Sequence, residues 1–184
     1  PVPIANRILR GDKQIADMFE QVSVFFCDIA GFTKLSQNIA PTELVNILND
    51  IFSEFDRLAV KHGLEKIKTI GDSYMAVAGI PSPLHDHAER AAAFALDVLA
   101  CMQQYRLNTG RALEIRAGLH CGHAVAGVIG KNKYAYDLWG DTVNTASRME
   151  SHSIENKIQV SEAFRNLIAH KFSLQERGEI EVKG

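Results

Sequence analysis

Phe25-Phe26-Cys27-Asp28-Ile29-Ala30-Gly31-Phe32-Thr33 begins as an apolar run and closes on an acid, a glycine and a hydroxyl residue. The run predicts a buried strand ending at Asp28, because a short continuous apolar stretch marks a strand covered on both faces. Gly31 permits the tight turn that follows, and Thr33 is expected to N-cap the next helix. Two readings fit the stretch. In one, Asp28 simply ends a strand in an Asx-capped turn. In the other, the N–H groups of Ala30, Gly31, Phe32 and Thr33 hold phosphate oxygens while Asp28 holds the cation that travels with them.

Outward from this stretch the periodicities alternate. Upstream, residues 1–20 read as a connector, with Pro1-Val2-Pro3, a helically spaced Ile4–Arg10 and Gly11-Asp12. Downstream, Pro41 opens a helix whose apolar positions Leu44, Ile47, Leu48, Ile51, Phe52 and Phe55 recur at three and four residues. His62-Gly63 should stop it. Leu64–Ile70 and Ser73–Ala78 flank Gly71-Asp72 and predict a hairpin. An Ala-rich helix follows from His85 or Asp86 to about Arg106. Ala112–His120 and His123–Ile129 read as two strands parted by Cys121-Gly122. Tyr134–Trp139 reads as a short strand, and Gly140-Asp141-Thr142 as the opening of a helix reaching about Ser151. Lys157–Val160, Glu162–His170 and Glu179–Lys183 complete the series as strand, helix and strand. The order strand–helix–strand–strand–helix–strand predicts an α+β fold with a ferredoxin-like split βαββαβ core, an antiparallel-rich sheet with helices packed on it.

Bulk properties narrow the function classes. At 184 residues the chain is one domain's length and can bury roughly 70% of its unfolded surface. A formal net charge of −2 gives no general basic surface for nucleic acid. No apolar run approaches the roughly 20 residues that cross a bilayer. Cys27, Cys101 and Cys121 are odd in number and set among apolar neighbours, the pattern of buried thiols in a reducing, cytoplasmic compartment. His85, His87, His120, His123 and His152 form no metal-ligand spacing. The start at Pro1 and the end at Val182-Lys183-Gly184 read as a domain, residues 21–184, cut from a longer protein.

A second acid lies in Ile67-Lys68-Thr69-Ile70-Gly71-Asp72. In a split βαββαβ sheet the first strand and the hairpin after the first helix are neighbours, so Asp28 and Asp72 should face each other. Two such carboxylates repel unless a cation sits between them, and oxygen donors without His or Cys select Mg²⁺ or Mn²⁺.

Tyr136-Asp137-Leu138-Trp139-Gly140-Asp141-Thr142-Val143-Asn144-Thr145-Ala146-Ser147-Arg148-Met149 strongly resembles the signature of class III nucleotidyl cyclases. So do Phe26–Thr33, Ile67–Asp72, Arg116–His120 and Arg177–Gly184, in the family's order. The resemblance implies conversion of a nucleoside triphosphate to its 3′,5′-cyclic monophosphate and pyrophosphate with two metal ions per site. By match, Asp28, Asp72 and the carbonyl of Ile29 are the metal ligands. Asn144 orients the ribose, Arg148 stabilises the pentacoordinate α-phosphate, and Lys183 contacts phosphates. The residues matching the family's base readers are Lys68 and Asp137. Lys68 only donates and ionised Asp137 only accepts, which fits the acceptor N1 and donor 6-amino group of adenine and opposes guanine. Guanylyl cyclases carry an acid and often a Cys at these places. The resemblance therefore implies an adenylyl cyclase acting on ATP, with a guanylyl or dual-specificity cyclase and a catalytically silent nucleotide-binding domain as alternatives. It also implies a homodimer whose sites lie at the interface, metal acids from one subunit and the remaining groups from the other, under an upstream regulatory region.

Overall fold

The computed structural model describes residues 1–12, 14–130 and 132–179. Two long strands, β1 (Ala16–Ile29) and β4 (Ile115–Ile129), lie antiparallel at its centre. On one side β1 pairs with β3 (Ser73–Ala78), which pairs with β2 (Glu65–Ile70). On the other side β4 carries β5 (Ala135–Trp139) along its second half and the short parallel β6 (Ile158–Val160) along its first. The order β2-β3-β1-β4-β5, built from β1–helix–β2–β3–helix–β4, is the expected split βαββαβ core in an α+β fold.

The apolar periodicity explains the layers. The helix α3 (Pro41–His62) starts on Pro41, whose missing N–H costs nothing at a first helical position, and stops at Gly63 in the left-handed region. With α4 (His87–Thr109) and α6 (Glu162–Ile168) it covers one sheet face, joining Phe25, Cys27, Phe55, Phe94 and Phe164 in the main core. Phe25 and Phe94 meet edge to face at 4.9 Å. The alternate residues of β1, Val22, Val24 and Phe26, point the other way into a smaller core with Met75, Val77, Ala126 and Leu138. Ile67 of β2 and Tyr136 of β5 pack on that second core, so the two edge strands curl toward each other across it. Both faces of β1 are covered at its middle, which is why that stretch lacks polar alternation.

Three boundaries differ from expectation. β1 begins at Ala16, so residues 16–20, expected in the connector after α1 (Val2–Leu9), belong to this strand, and Ala16 to Phe19 pair with β4. Ala112–His120 and His123–Ile129 form a single strand, and Gly122 pairs with Val22 in mid-ladder. Gly122 is present for close packing: a Cβ there would stand 2.6 Å from the Thr142 hydroxyl oxygen. Thr33 lies inside the five-residue helix α2 (Phe32–Ser36), whose N-cap is Gly31 at φ 70°. The left-handed turn needs glycine there, which moves the cap two residues forward. The strand expected over Glu179–Lys183 falls largely outside the described residues.

Candidate active site

Asp28 sits on β1 directly opposite Arg116 of β4. The Arg116 Nε donates to Asp28 Oδ1 at 3.1 Å, and its Nη2 is paired with Oδ2. Asp72 reaches the same place from the β2–β3 turn, where Gly71 adopts φ 60°. The β1–β3 ladder ends at Cys27 and Tyr74, so that turn abuts Asp28 and Ile29. The Asp72 carboxyl lies close enough to the Ile29 N–H and to Asp28 to feel both. Burial lifts its pKa, with the Asp28 charge adding, against the opposing pull of backbone N–H groups and Arg116.

Sequence reasoning missed a third acid beside this pair. Glu150 is 8% exposed, and its Oε1 has no hydrogen-bond partner among the described residues. Burial first, and then the Asp28 charge, push its pKa up to about 8. Three carboxyl groups thus gather around one guanidinium. Hard oxygen donors with surplus negative charge fit a divalent cation of the Mg²⁺ or Mn²⁺ type. Among the described residues no cluster of three or more His, Cys, Asp or Glu side chains is arranged to hold an ion, so such a cation would complete its shell from main-chain, water and ligand oxygens.

The adjoining turn offers fewer donors than its sequence implied. The Ala30 N–H is committed to the Glu114 carbonyl at 2.8 Å. Gly31, Phe32 and Thr33 stand at the start of α2, where first-turn N–H groups have no intrahelical acceptor.

Lys68 and Asp137 come from opposite edges of the sheet, β2 and β5, and meet because those edges curl over one face. The Lys68 Nζ donates to Asp137 Oδ2 at 2.5 Å, and the Leu138 N–H donates to Oδ1 at 2.8 Å. The result is a fixed donor beside a fixed acceptor, 38% and 18% exposed.

The helix α5 (Asp141–Ser151) buries Thr142, Ala146 and Glu150, one stripe at four-residue spacing. Asn144 and Arg148 occupy a different stripe, exposed and half-buried. Among the described residues neither is bonded to Asp28 or Asp72. Lys183 lies outside the described residues. Of the histidines, His87 is buried with Nδ1 2.7 Å from the Ser23 hydroxyl, and His120 meets Ser161 at 2.6 Å.

Comparison with known proteins gives one family. The adenylate and guanylate cyclase catalytic domain matches residues 15–184. An adenylate cyclase of Mycobacterium tuberculosis is 45% identical over the whole chain, which spans 42% of that protein's length. The human guanylate cyclase soluble subunit beta-2 is 43% identical, with the chain spanning 30% of it. Among solved structures, the catalytic core of a rhodopsin-guanylyl cyclase with converted specificity, in complex with ATPalphaS, superimposes with a TM-score of 0.87. It is 43% identical, and 92% of each chain is covered.

Proposed function

The chain belongs to the adenylate and guanylate cyclase catalytic domain family, and we propose that it is the adenylyl member of that pair, converting ATP to 3′,5′-cyclic AMP and pyrophosphate. The observation that carries the choice of base is the Lys68–Asp137 pair. Lys68 offers adenine N1 a donor, and Asp137, steadied by the Leu138 N–H, offers the 6-amino group an acceptor. Guanine would set donor against donor and acceptor against acceptor, a mismatch that can reject a substrate by about 10⁴. Overall similarity does not decide the base, since adenylate and guanylate relatives match almost equally.

The remaining roles follow from chemistry at each position. Asp28, Asp72 and the Ile29 carbonyl would hold two Mg²⁺ or Mn²⁺ ions, which when bound supply Lewis acidity at the ribose 3′-hydroxyl and charge neutralisation at the triphosphate. Gly31, Phe32 and Thr33 bind phosphate oxygens through the start of α2. Asn144 holds the ribose so that its 3′-oxygen lies in line with the α-phosphorus, and Arg148 meets the charge that builds on the equatorial oxygens. In-line displacement at phosphorus needs positioning and charge stabilisation more than a protein base. Asn144 and Arg148 lie off the buried stripe of α5 and bond neither Asp28 nor Asp72 among the described residues, which supports a homodimer whose two sites are each assembled from both chains. Lys183 contacts phosphate by resemblance, and the residues before β1 link the domain to an upstream regulatory region.

Product analysis tests the base choice. Wild type with Mn²⁺ should yield cyclic AMP from ATP and little cyclic GMP from GTP, and the paired Lys68→Glu, Asp137→Cys exchange should shift the ratio toward cyclic GMP. Cyclic GMP as the main wild-type product would refute the adenylyl reading.

A further inference from the structure

We propose that Thr142 is a positioning residue for the phosphoryl step, its hydroxyl setting how α5 lies on β4 and thereby where Asn144 and Arg148 reach. This rests on the cyclase reading above and adds to it a residue outside the substrate and metal sites.

The helix is laid along one strand. Its buried residues run from Thr142 to Glu150, about 12 Å at the helical rise. Beneath them, Gly122 and Gly118 are spaced by about 13 Å at the strand rise. The two lengths match, and the contacts match at both ends. A Cβ on Gly122 would come within 2.6 Å of Thr142 Oγ1, and one on Gly118 within 2.0 Å of the Glu150 backbone nitrogen. No side chain of β4 stands between helix and strand at either point, so α5 rests almost on the backbone.

Contact of this kind fixes separation and leaves rotation to be set by something directional. The Thr142 hydroxyl supplies it by donating to the His123 carbonyl at 2.6 Å. His123 lies where β4 has no regular partner. The β1 ladder shifts register between Phe19 and Val22, β5 begins pairing at Val125, and the β6 ladder ends at Leu119. A main-chain acceptor at a bulge needs a partner, and a 3%-exposed hydroxyl two residues before Asn144 provides one. Asn144 and Arg148 share the rigid body that this bond orients. Catalytic groups tolerate only about 10–20° of misorientation, and a displacement of about 1 Å can cost about 10² in rate.

The test uses dimeric wild type, Thr142→Val, which keeps the shape and loses the donor, and Thr142→Ser, which keeps the donor. Each is assayed with whichever nucleotide wild type cyclises. Thr142→Val should lower kcat tenfold or more with KM within twofold, and Thr142→Ser should recover kcat to within about threefold. Should Thr142→Val not fold, Gly122→Ala displaces the same hydroxyl and is read by the same criteria. Undiminished kcat in Thr142→Val, or equal impairment of the Ser and Val variants, overturns the assignment while leaving the cyclase reading intact. A wild type that cyclises neither ATP nor GTP overturns both.

Discussion

At the scale of single residues, the Asp28–Arg116 pair makes the proposed metal site a competition between cations. Arg116→Gln removes the resident charge and leaves Asp28 and Asp72 to repel each other. In the presence of a chelator the variant should melt several degrees lower than wild type. Added Mn²⁺ should restore it, because a ligand that binds only the folded state stabilises it by mass action. Calorimetric titration without nucleotide should show Mn²⁺ binding several-fold tighter than in wild type. His87 gives a pH signature distant from that site. Burial holds its imidazole below the ordinary value of 6.5, so on acidification the unfolded chain takes up a proton that the native state does not. Stability should therefore fall as pH drops through and below about 6.5. The melting temperature of His87→Gln should fall less steeply between pH 7 and 5.5 than that of wild type. The residues proposed as metal acids and base readers could be picked out in the sequence because each sits in a short local motif. Arg116 was not singled out, since only the β1–β4 register brings it opposite Asp28. Glu150 was hidden for a similar reason: its burial comes from a strand beneath it.

At the scale of elements, the local pattern located the long helices α3, α4 and α5 well, and Pro41 with Gly63 marked both ends of α3. It failed at β4. Gly122 was read as a breaker because glycine usually ends a strand, whereas here it clears space for a helix that is sequentially later. Such a cause has no trace in the local pattern. Gly118→Ala tests it directly. A methyl 2.0 Å from the Glu150 nitrogen can be admitted only by lifting α5, so the cost in urea unfolding should reach or exceed the roughly 3 kcal/mol top of ordinary overpacking. Ala126→Gly, on the same strand beyond the helix, should cost only part of that.

At the scale of the whole molecule, the fold class followed from the order of elements, whereas the curl that joins β2 to β5 did not. The α5 stripe bearing Asn144 and Arg148 is not the buried one and makes no bond to Asp28 or Asp72 among the described residues, which leads to a complementation experiment. Asp72→Ala and Arg148→Ala should each be nearly inactive. Mixed in equal amounts and allowed to exchange subunits, they should recover about a quarter of wild-type activity, because half the dimers then carry one intact site of two. No recovery despite demonstrated exchange would mean that each chain builds its own site. The curl also bears on how such a domain could change its substrate over generations. Lys68 and Asp137 lie 69 positions apart yet neutralise each other. A lineage that alters one first must pass through an intermediate with a stranded charge and no clear preference for either purine. Selection would then see a step down before any step up, and descendants are expected to carry both replacements or neither, the converted ones both.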